Sequence, residues 1–286
     1  MTIPDTGIVF AATGEAYRNL ARRAARNVRL AMPDIAIDLY TDEPLDDPVF
    51  SKVFLVEYTD HRPKMEALRR SRFRRTVYLD SDIVMLTDIS EVFEVLERAD
   101  FVGVQCTFGN GPTVRKAVRQ RVPAAFRQIN SGVLGIRKST KTDALLRQWE
   151  SDFQELELDF DQALLRELLY NSDLRVIVLP NEYNVMHLDF IRTSSKYTMA
   201  PRILHMRVLH SDQKYQFPVD QPFDPNLLLP HSLVEKINSL YTTDRTLNPT
   251  RNKFTPIGGT SRVQRYVKRA RAKLQRLAAS FWAKRL

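Results

Sequence analysis

Cysteine is almost absent from this sequence: Cys106 is the only one in 286 residues. No disulfide and no thiolate-based metal site can form within the chain, which fits a reducing compartment. Glycine is scarce as well, with nine. Gly109 and Gly111 make a bare G-x-G without a third glycine, and no G-K-[ST] occurs, so no backbone cradle for phosphate is encoded. There is no run of 18 apolar residues, and the opening MTIPDTGIVF has no basic flank leading into a long apolar stretch. The expectation is a cytoplasmic chain, neither exported by a signal peptide nor threaded through a bilayer. Acidic residues are missing from 261 onward, where nine basic ones gather (Arg262, Arg265, Lys268, Arg269, Arg271, Lys273, Arg276, Lys284 and Arg285). That segment holds the whole net charge of +9, leaving residues 1–260 neutral. A neutral body argues against a nucleic-acid enzyme built around a basic groove.

What is present is an ordinary globular composition, 43% hydrophobic, with a clear rhythm. Short apolar runs rich in β-branched residues alternate with helical patterns. Strands are predicted at Gly7–Ala12, Ile35–Tyr40, Val53–Tyr58, Thr76–Leu79, Phe101–Gln105, Ser131–Ile136, Leu174–Leu179 and Arg202–Met206. Helices are predicted at Glu15–Met32, Pro63–Arg74, around Glu91–Arg98, near Lys141–Leu156 and at Phe160–Tyr170. Alternation of this kind implies βαβ units and a mostly parallel α/β sheet, whose ligands bind beyond the carboxyl ends of the strands. The expected organisation is one domain over residues 1–240, a polar linker over 241–260, and a tail over 261–286.

The most informative stretch is VYLDSDIVML (77–86), where Asp80 and Asp82 end an apolar strand. With 21 aspartates in the chain, roughly one or two D-x-D pairs arise by chance, and Asp159 with Asp161 is a second one. Two carboxylates at a strand end can converge on one hard divalent cation, so position decides between that and a solvated turn. One reading is a haloacid-dehalogenase-type phosphatase with Asp80 as nucleophile, whose opening motif VYLDSDIV resembles. That class also needs a late pair of aspartates for its metal. The sole adjacent pair, Asp46 and Asp47, lies upstream.

A broader resemblance is to the nucleotide-sugar-dependent glycosyltransferases of the GT-A fold, in the family of glycogenin and the bacterial lipopolysaccharide galactosyl- and glucosyltransferases. Six segments carry it, in the family's order over about residues 7–215. They are the first strand running into TGEAY, Lys64 opening the helix before LDSD, INSGVLGIRKS (129–139), DFDQALLRELL (159–169), LPNEYNVM (179–186) and ILHMRVLH (203–210).

The resemblance implies a mostly parallel twisted sheet flanked by helices, and transfer of a sugar from a nucleotide-sugar, by expectation a UDP-sugar, to a glycan or lipid-linked acceptor with retention. Asp80 and Asp82 would hold a divalent metal together with His205, or with His210 in its place; a nitrogen ligand suits Mn²⁺ better than Mg²⁺. Thr13, Glu15, Tyr17, Lys64, Asp80, Ser81, Asn130 and Ser131 would meet the donor, and Asp161 and Gln162 would face the anomeric carbon. Lys64 reads equally as a surface helix lysine, and Asp161 as a helix N-terminal acid. The family's Gly-x-x-Lys-Pro-Trp lid segment has no counterpart in HSDQKYQFP, which keeps only Lys214.

In the tail, Val263, Val267, Ala270, Leu274, Leu277 and Phe281 recur every three or four residues, with cations opposite. This predicts an amphipathic helix lying on an anionic membrane surface, or packing on the body or a partner. A non-enzymatic protein binding through this tail is the remaining alternative.

Overall fold

The computed structural model describes residues 5–57, 62–111, 114, 116–210 and 218–247. The linker beyond residue 247, the 261–286 tail and the Lys214 segment lie outside the described residues. Seven strands form the main sheet. They are β1 (Thr6–Ala12), β2 (Ala36–Thr41), β3 (Lys52–Leu55), β4 (Arg75–Leu79), β6 (Phe101–Gln105), β7 (Ile129–Arg137) and β8 (Val176–Leu179), in the order β3-β2-β1-β4-β7-β6-β8. A separate two-stranded sheet pairs β5 (Ile83–Met85) antiparallel with β9 (Ile203–His205). The α-helices are α1 (Glu15–Ala31), α2 (Lys64–Arg70), α3 (Glu91–Val95), α4 (Thr140–Glu155), α5 (Asp161–Tyr170), α6 (Leu188–Thr193), α7 (Pro225–Leu228) and α8 (His231–Thr243).

The α/β class and the mostly parallel sheet are as the alternation implied. β3, β2, β1 and β4 run parallel, as do β6 and β8, while β7 is antiparallel to both of its neighbours. Ile8, Val9 and Phe10 are wholly buried, as a central parallel strand covered on both faces requires. Ala21, Ala24, Ala25 and Val28 give α1 its buried stripe at helical spacing. Ser139 caps α4, its hydroxyl accepting from Thr142 N while Thr142 Oγ1 accepts from Ser139 N at 2.8 Å. The core gathers around Trp149 and Phe101, neither of them exposed.

Several boundaries differ from the sequence expectation, for physical reasons. The helix expected over Pro63–Arg74 ends at Arg70 because Ser71 is extended (φ −50°, ψ 132°). Phe73 then turns into the core under Gly7, where a β-carbon would overlap its ring. The third strand covers Lys52–Leu55 rather than Val53–Tyr58, and α3 is shorter than Glu91–Arg98. The strand expected over Ser131–Ile136 extends to Ile129–Arg137, and the Leu174–Leu179 strand begins at Val176. The late strand around His205 belongs to the small sheet, with Ile83 opposite His205. Helix α8 has no counterpart in the sequence reading and runs through Tyr241, Thr242 and Thr243, past the expected boundary at 240.

Between β1 and β4 the strand order reverses, which opens a crevice at their carboxyl ends. Asp80 follows β4 there, and Thr13 follows β1. Because β7 is antiparallel, it starts at that same edge, and Asp80 N donates to Gly132 O at 2.9 Å.

Candidate active site

The turn from β4 into β5 presents Asp80 and Asp82 with buried Ser81 between them. The β5–β9 pairing sets His205 beside Asp82, and Met206 N donates to Asp82 O at 2.8 Å. One ligand atom each from Asp80, Asp82 and His205 falls within a 4.8 Å cluster. His205 Nε2 is 3.1 Å from Asp82 Oδ1 and 3.9 Å from Asp80 Oδ2. His210 Nε2 reaches Asp82 Oδ2 at 2.9 Å, but among the described residues it forms no ion pair with Asp80, and its ring lies against Tyr17 with centroids 5.1 Å apart.

The imidazole of His205 is oriented from behind. Its Nδ1 meets Asn184 Oδ1 at 2.9 Å, while Asn184 Nδ2 donates to Asn130 Oδ1 at 2.8 Å. An amide that donates with nitrogen on one side turns its oxygen to the other, so Nδ1 keeps a proton and Nε2 is the nitrogen turned to the carboxylates, able to ligate once its own proton leaves. Asn130 Oδ1 also accepts from Gly132 N at 3.0 Å. Asn130, expected at the donor sugar, thus also supports the histidine. Gly132 is the small residue this arrangement needs: a β-carbon there would overlap the His205 ring, lying 2.7 Å from Nδ1.

Lys64 is buried at the start of α2, against the surface reading, with 4% exposure. Its Nζ donates to Asp80 Oδ1, Ser131 O and Ser131 Oγ, each at 3.1 Å, and stands 3.7 Å from Asp161 Oδ2. Burial pulls its pKa down, but the Asp80 and Asp161 carboxylates outweigh this and hold it above the usual 10.5. The Tyr78 hydroxyl donates to Asp80 Oδ1 at 2.6 Å, and burial together with that carboxylate pushes its pKa well up. For Asp82, burial acts to raise the pKa, yet the charges and hydrogen bonds of His205 and His210 prevail and keep the carboxyl well below the usual range. His205 mirrors this: burial lowers its pKa, Asp82 raises it, and the net direction is upward.

Asp161 opens α5 and is 1% exposed, so it is both a helix N-terminal acid and a member of the cluster around Lys64. Its Oδ2 is buried with no hydrogen-bond partner, an acceptor held ready for a ligand. Gln162 Oε1 accepts from Gln128 Nε2 at 2.9 Å, a neighbour that sequence reasoning did not single out. Asp159, in contrast, is exposed, so the second D-x-D pair does not form a clamp. Thr13 lies in the turn after β1, while Glu15 and Tyr17 are exposed on the first turn of α1. No hydrogen bond or ion pair joins Thr13 or Glu15 to the acidic cluster among the described residues.

Asn184 lies within LPNEYNVM, and the sequence alone assigns it no role. Its signal lies in register: Val185 N donates to Ile203 O and His205 N to Val185 O, both at 2.9 Å, so the segment before β9 is laid beside it.

Residues 75–217 match the family described as nucleotide-diphospho-sugar transferase. Among solved structures, the galactosyltransferase LgtC in complex with donor and acceptor sugar analogs is similar at a TM-score of 0.54 and 14% identity, over 86% of this chain and 100% of that one. The glycosyltransferase GlyE of Streptococcus pneumoniae TIGR4 is similar at 0.54 and 16% identity, over 84% of this chain and 64% of that one. A sequence search of curated proteins finds no match. At these identities the structural likeness establishes the fold, which is GT-A.

Proposed function

Since the chain belongs to the nucleotide-diphospho-sugar transferase family and is a glycosyltransferase, we propose that it moves a sugar from a UDP-sugar to a glycan or lipid-linked acceptor, with a divalent cation at Asp80, Asp82 and His205. The phosphatase reading of Asp80 falls with that membership. The observation that carries the proposal is the convergence of two carboxylates and one tautomerically fixed imidazole at the crevice where strand order reverses. The donor set fits such an ion, and its one nitrogen favours Mn²⁺ over Mg²⁺. When bound, the ion would supply Lewis acidity toward the diphosphate oxygens on which charge builds as the glycosidic bond breaks.

The chain's own groups fill the remaining roles. Lys64 fixes Asp80 and adds positive charge beside the diphosphate site. Asp161, whose Oδ2 makes no hydrogen bond and only a 3.7 Å ion pair with Lys64, accepts from a hydroxyl of the donor sugar. Gln162 keeps its amide nitrogen as a donor near the anomeric carbon, because Gln128 occupies its oxygen. Thr13, Glu15 and Tyr17 flank the base and ribose, and Ser81, Asn130 and Ser131 the sugar. Retention is the stereochemistry that the family resemblance carries. That LgtC was solved with donor and acceptor sugar analogs supports a crevice able to hold both.

Among the described residues no helix is long and apolar enough to cross a membrane. The spacing of cations and apolar residues over 261–286 supports peripheral attachment to an anionic membrane surface, tested by liposome flotation with and without that segment. The transfer itself is tested by incubating the protein with UDP-sugars and Mn²⁺ and measuring released UDP. EDTA, or Asp82→Asn, is expected to abolish release in a folded protein; an Asp82→Asn enzyme of full activity would remove the metal role.

A further inference from the structure

Overall neutrality of residues 1–260 conceals a local excess. Residues 101–142 contain no aspartate or glutamate, and the stretch TVRKAVRQRVPAAFRQ (113–128) contributes Arg115, Lys116, Arg119, Arg121 and Arg127. In the structure the described residues between β6 and β7, Val114 and 116–128, border a cavity of about 260 Å³. Lys116, Arg121, Arg127 and Arg166 line it, with no acidic residue in the lining. None of Asp80, Asp82, His205 or Lys64 lines it either, so it is not the diphosphate site. It does share a wall with the reaction centre: Gln128 lines the cavity and holds Gln162 at 2.9 Å.

The four cations are not equivalent. Arg166 is a scaffold, donating to the carbonyls of Phe126, Val114, Val122 and Pro123. Its neighbour Glu167 accepts from the backbone of Val118, Arg119 and Gln120, so that carboxylate is occupied by amides. Arg119 pairs with Asp152, away from the cavity lining. Lys116, Arg121 and Arg127 have no acidic partner among the described residues. The guanidinium of Arg127 lies over the bare Cα of Gly109, where a β-carbon would displace it, and reaches Cys106 O at 3.4 Å. Lys116, Arg121 and Arg127 are solvent-exposed at the rim, and three cations without acidic partners facing one space suit an oxyanion, which guanidinium groups match in geometry. The volume falls below the ~300–1,000 Å³ of a site for a whole small molecule, so it fits a charged group and not an entire acceptor.

Resting on the glycosyltransfer reading, we propose that this cavity is the subsite for a phosphate group carried by the sugar acceptor. Acceptor identity would then be read by charge beside Gln162, separately from the donor's metal site.

The test is calorimetric titration of the full chain in EDTA with glucose, glucose 6-phosphate and geranyl diphosphate. Binding of a phosphate probe but not of glucose is expected. Preference for geranyl diphosphate identifies a lipid-linked acceptor, and preference for glucose 6-phosphate a phosphorylated sugar. The double variant Arg121→Gln, Arg127→Gln should weaken phosphate binding at least tenfold, and Lys116→Gln should weaken it independently. Arg119→Gln, which removes one cation outside the cavity as Lys116→Gln removes one within it, and Asp82→Asn should leave it unchanged. No phosphate binding, binding untouched by the cavity variants, or an equal loss in Arg119→Gln would overturn the subsite. UDP release by the unaltered enzyme is a separate measurement: its absence sinks the transfer reaction while the EDTA titration still decides the cavity.

Discussion

His205 and Asn184 meet at 2.9 Å through Nδ1 and Oδ1, and this one contact decides which imidazole nitrogen faces the two carboxylates. Replacing Asn184 with Ala removes the acceptor and leaves the ring free to rotate and change tautomer. Second-sphere losses of this kind typically cost about 10–100-fold in metal affinity. Titration with Mn²⁺ followed by electron paramagnetic resonance should show that drop, with the far-ultraviolet circular dichroism unaltered.

Gly132→Ala drives a methyl group into the Cε1–Nδ1 edge of the same ring. Gly132 lies where the β6 pairing of β7 shifts register, but its carbonyl accepts from Asp80 N at 2.9 Å, so a backbone shift there would also move the acidic turn. A destabilisation of about 1–3 kcal/mol is expected from overpacking. Urea unfolding measures it, and metal affinity should fall in parallel; an unchanged Kd for Mn²⁺ would show that the ring position is immaterial.

Lys64→Met keeps volume but removes the ammonium that lies 3.1 Å from Asp80 and 3.7 Å from Asp161. Two buried or half-buried carboxylates then lose their partner, a change worth roughly 3–5 kcal/mol when an ion pair is broken from one side. The loss should be largest in EDTA and smaller when Mn²⁺ is present, since the ion would neutralise Asp80. Equal losses in the two buffers would contradict a metal at this carboxylate.

pH should act in opposite directions on stability and on metal binding. In the metal-free protein His205 has a pKa above its ordinary 6.5. Its contribution to stability is therefore complete below 6.5 and is lost as pH rises through the folded value. Asp82, held below its ordinary 3.8, contributes above 3.8, and that part is lost as pH falls through its lowered value. A metal must displace the His205 proton, so its affinity should weaken about tenfold per pH unit below the folded His205 pKa. Thermal melts in EDTA and Mn²⁺ titrations across pH 5 to 9 separate the two trends.

The central strands and the acidic pair were legible because they follow local rules: apolar runs of β-branched residues, and carboxylates where such a run stops. The small sheet was not. Ile83–Met85 is three residues long and reads as a continuation of the preceding turn, and its partner lies over a hundred residues away. Helix α2 ended early because Phe73 is needed beneath Gly7, a tertiary demand without a local signal. Helix α8 did have one, since Leu233, Ile237 and Leu240 are buried at helical spacing. Lys64 could be placed beside the DSD strand by resemblance, but its burial depends on β7 arriving antiparallel with Ser131. Summed charge over residues 1–260 hid the basic β6–β7 segment, because acids elsewhere in the chain cancel it in the total.

Adjacent residues of opposite sign on α5, Arg166 and Glu167, hold that segment through carbonyls and amides of its main chain. Main-chain groups are the same whatever the side chain. Lys116 and Arg121, exposed on that segment, can therefore be exchanged in the course of evolution with little penalty to folding, while buried Val114 and Val122 and core-packed Phe126 keep the loop in place.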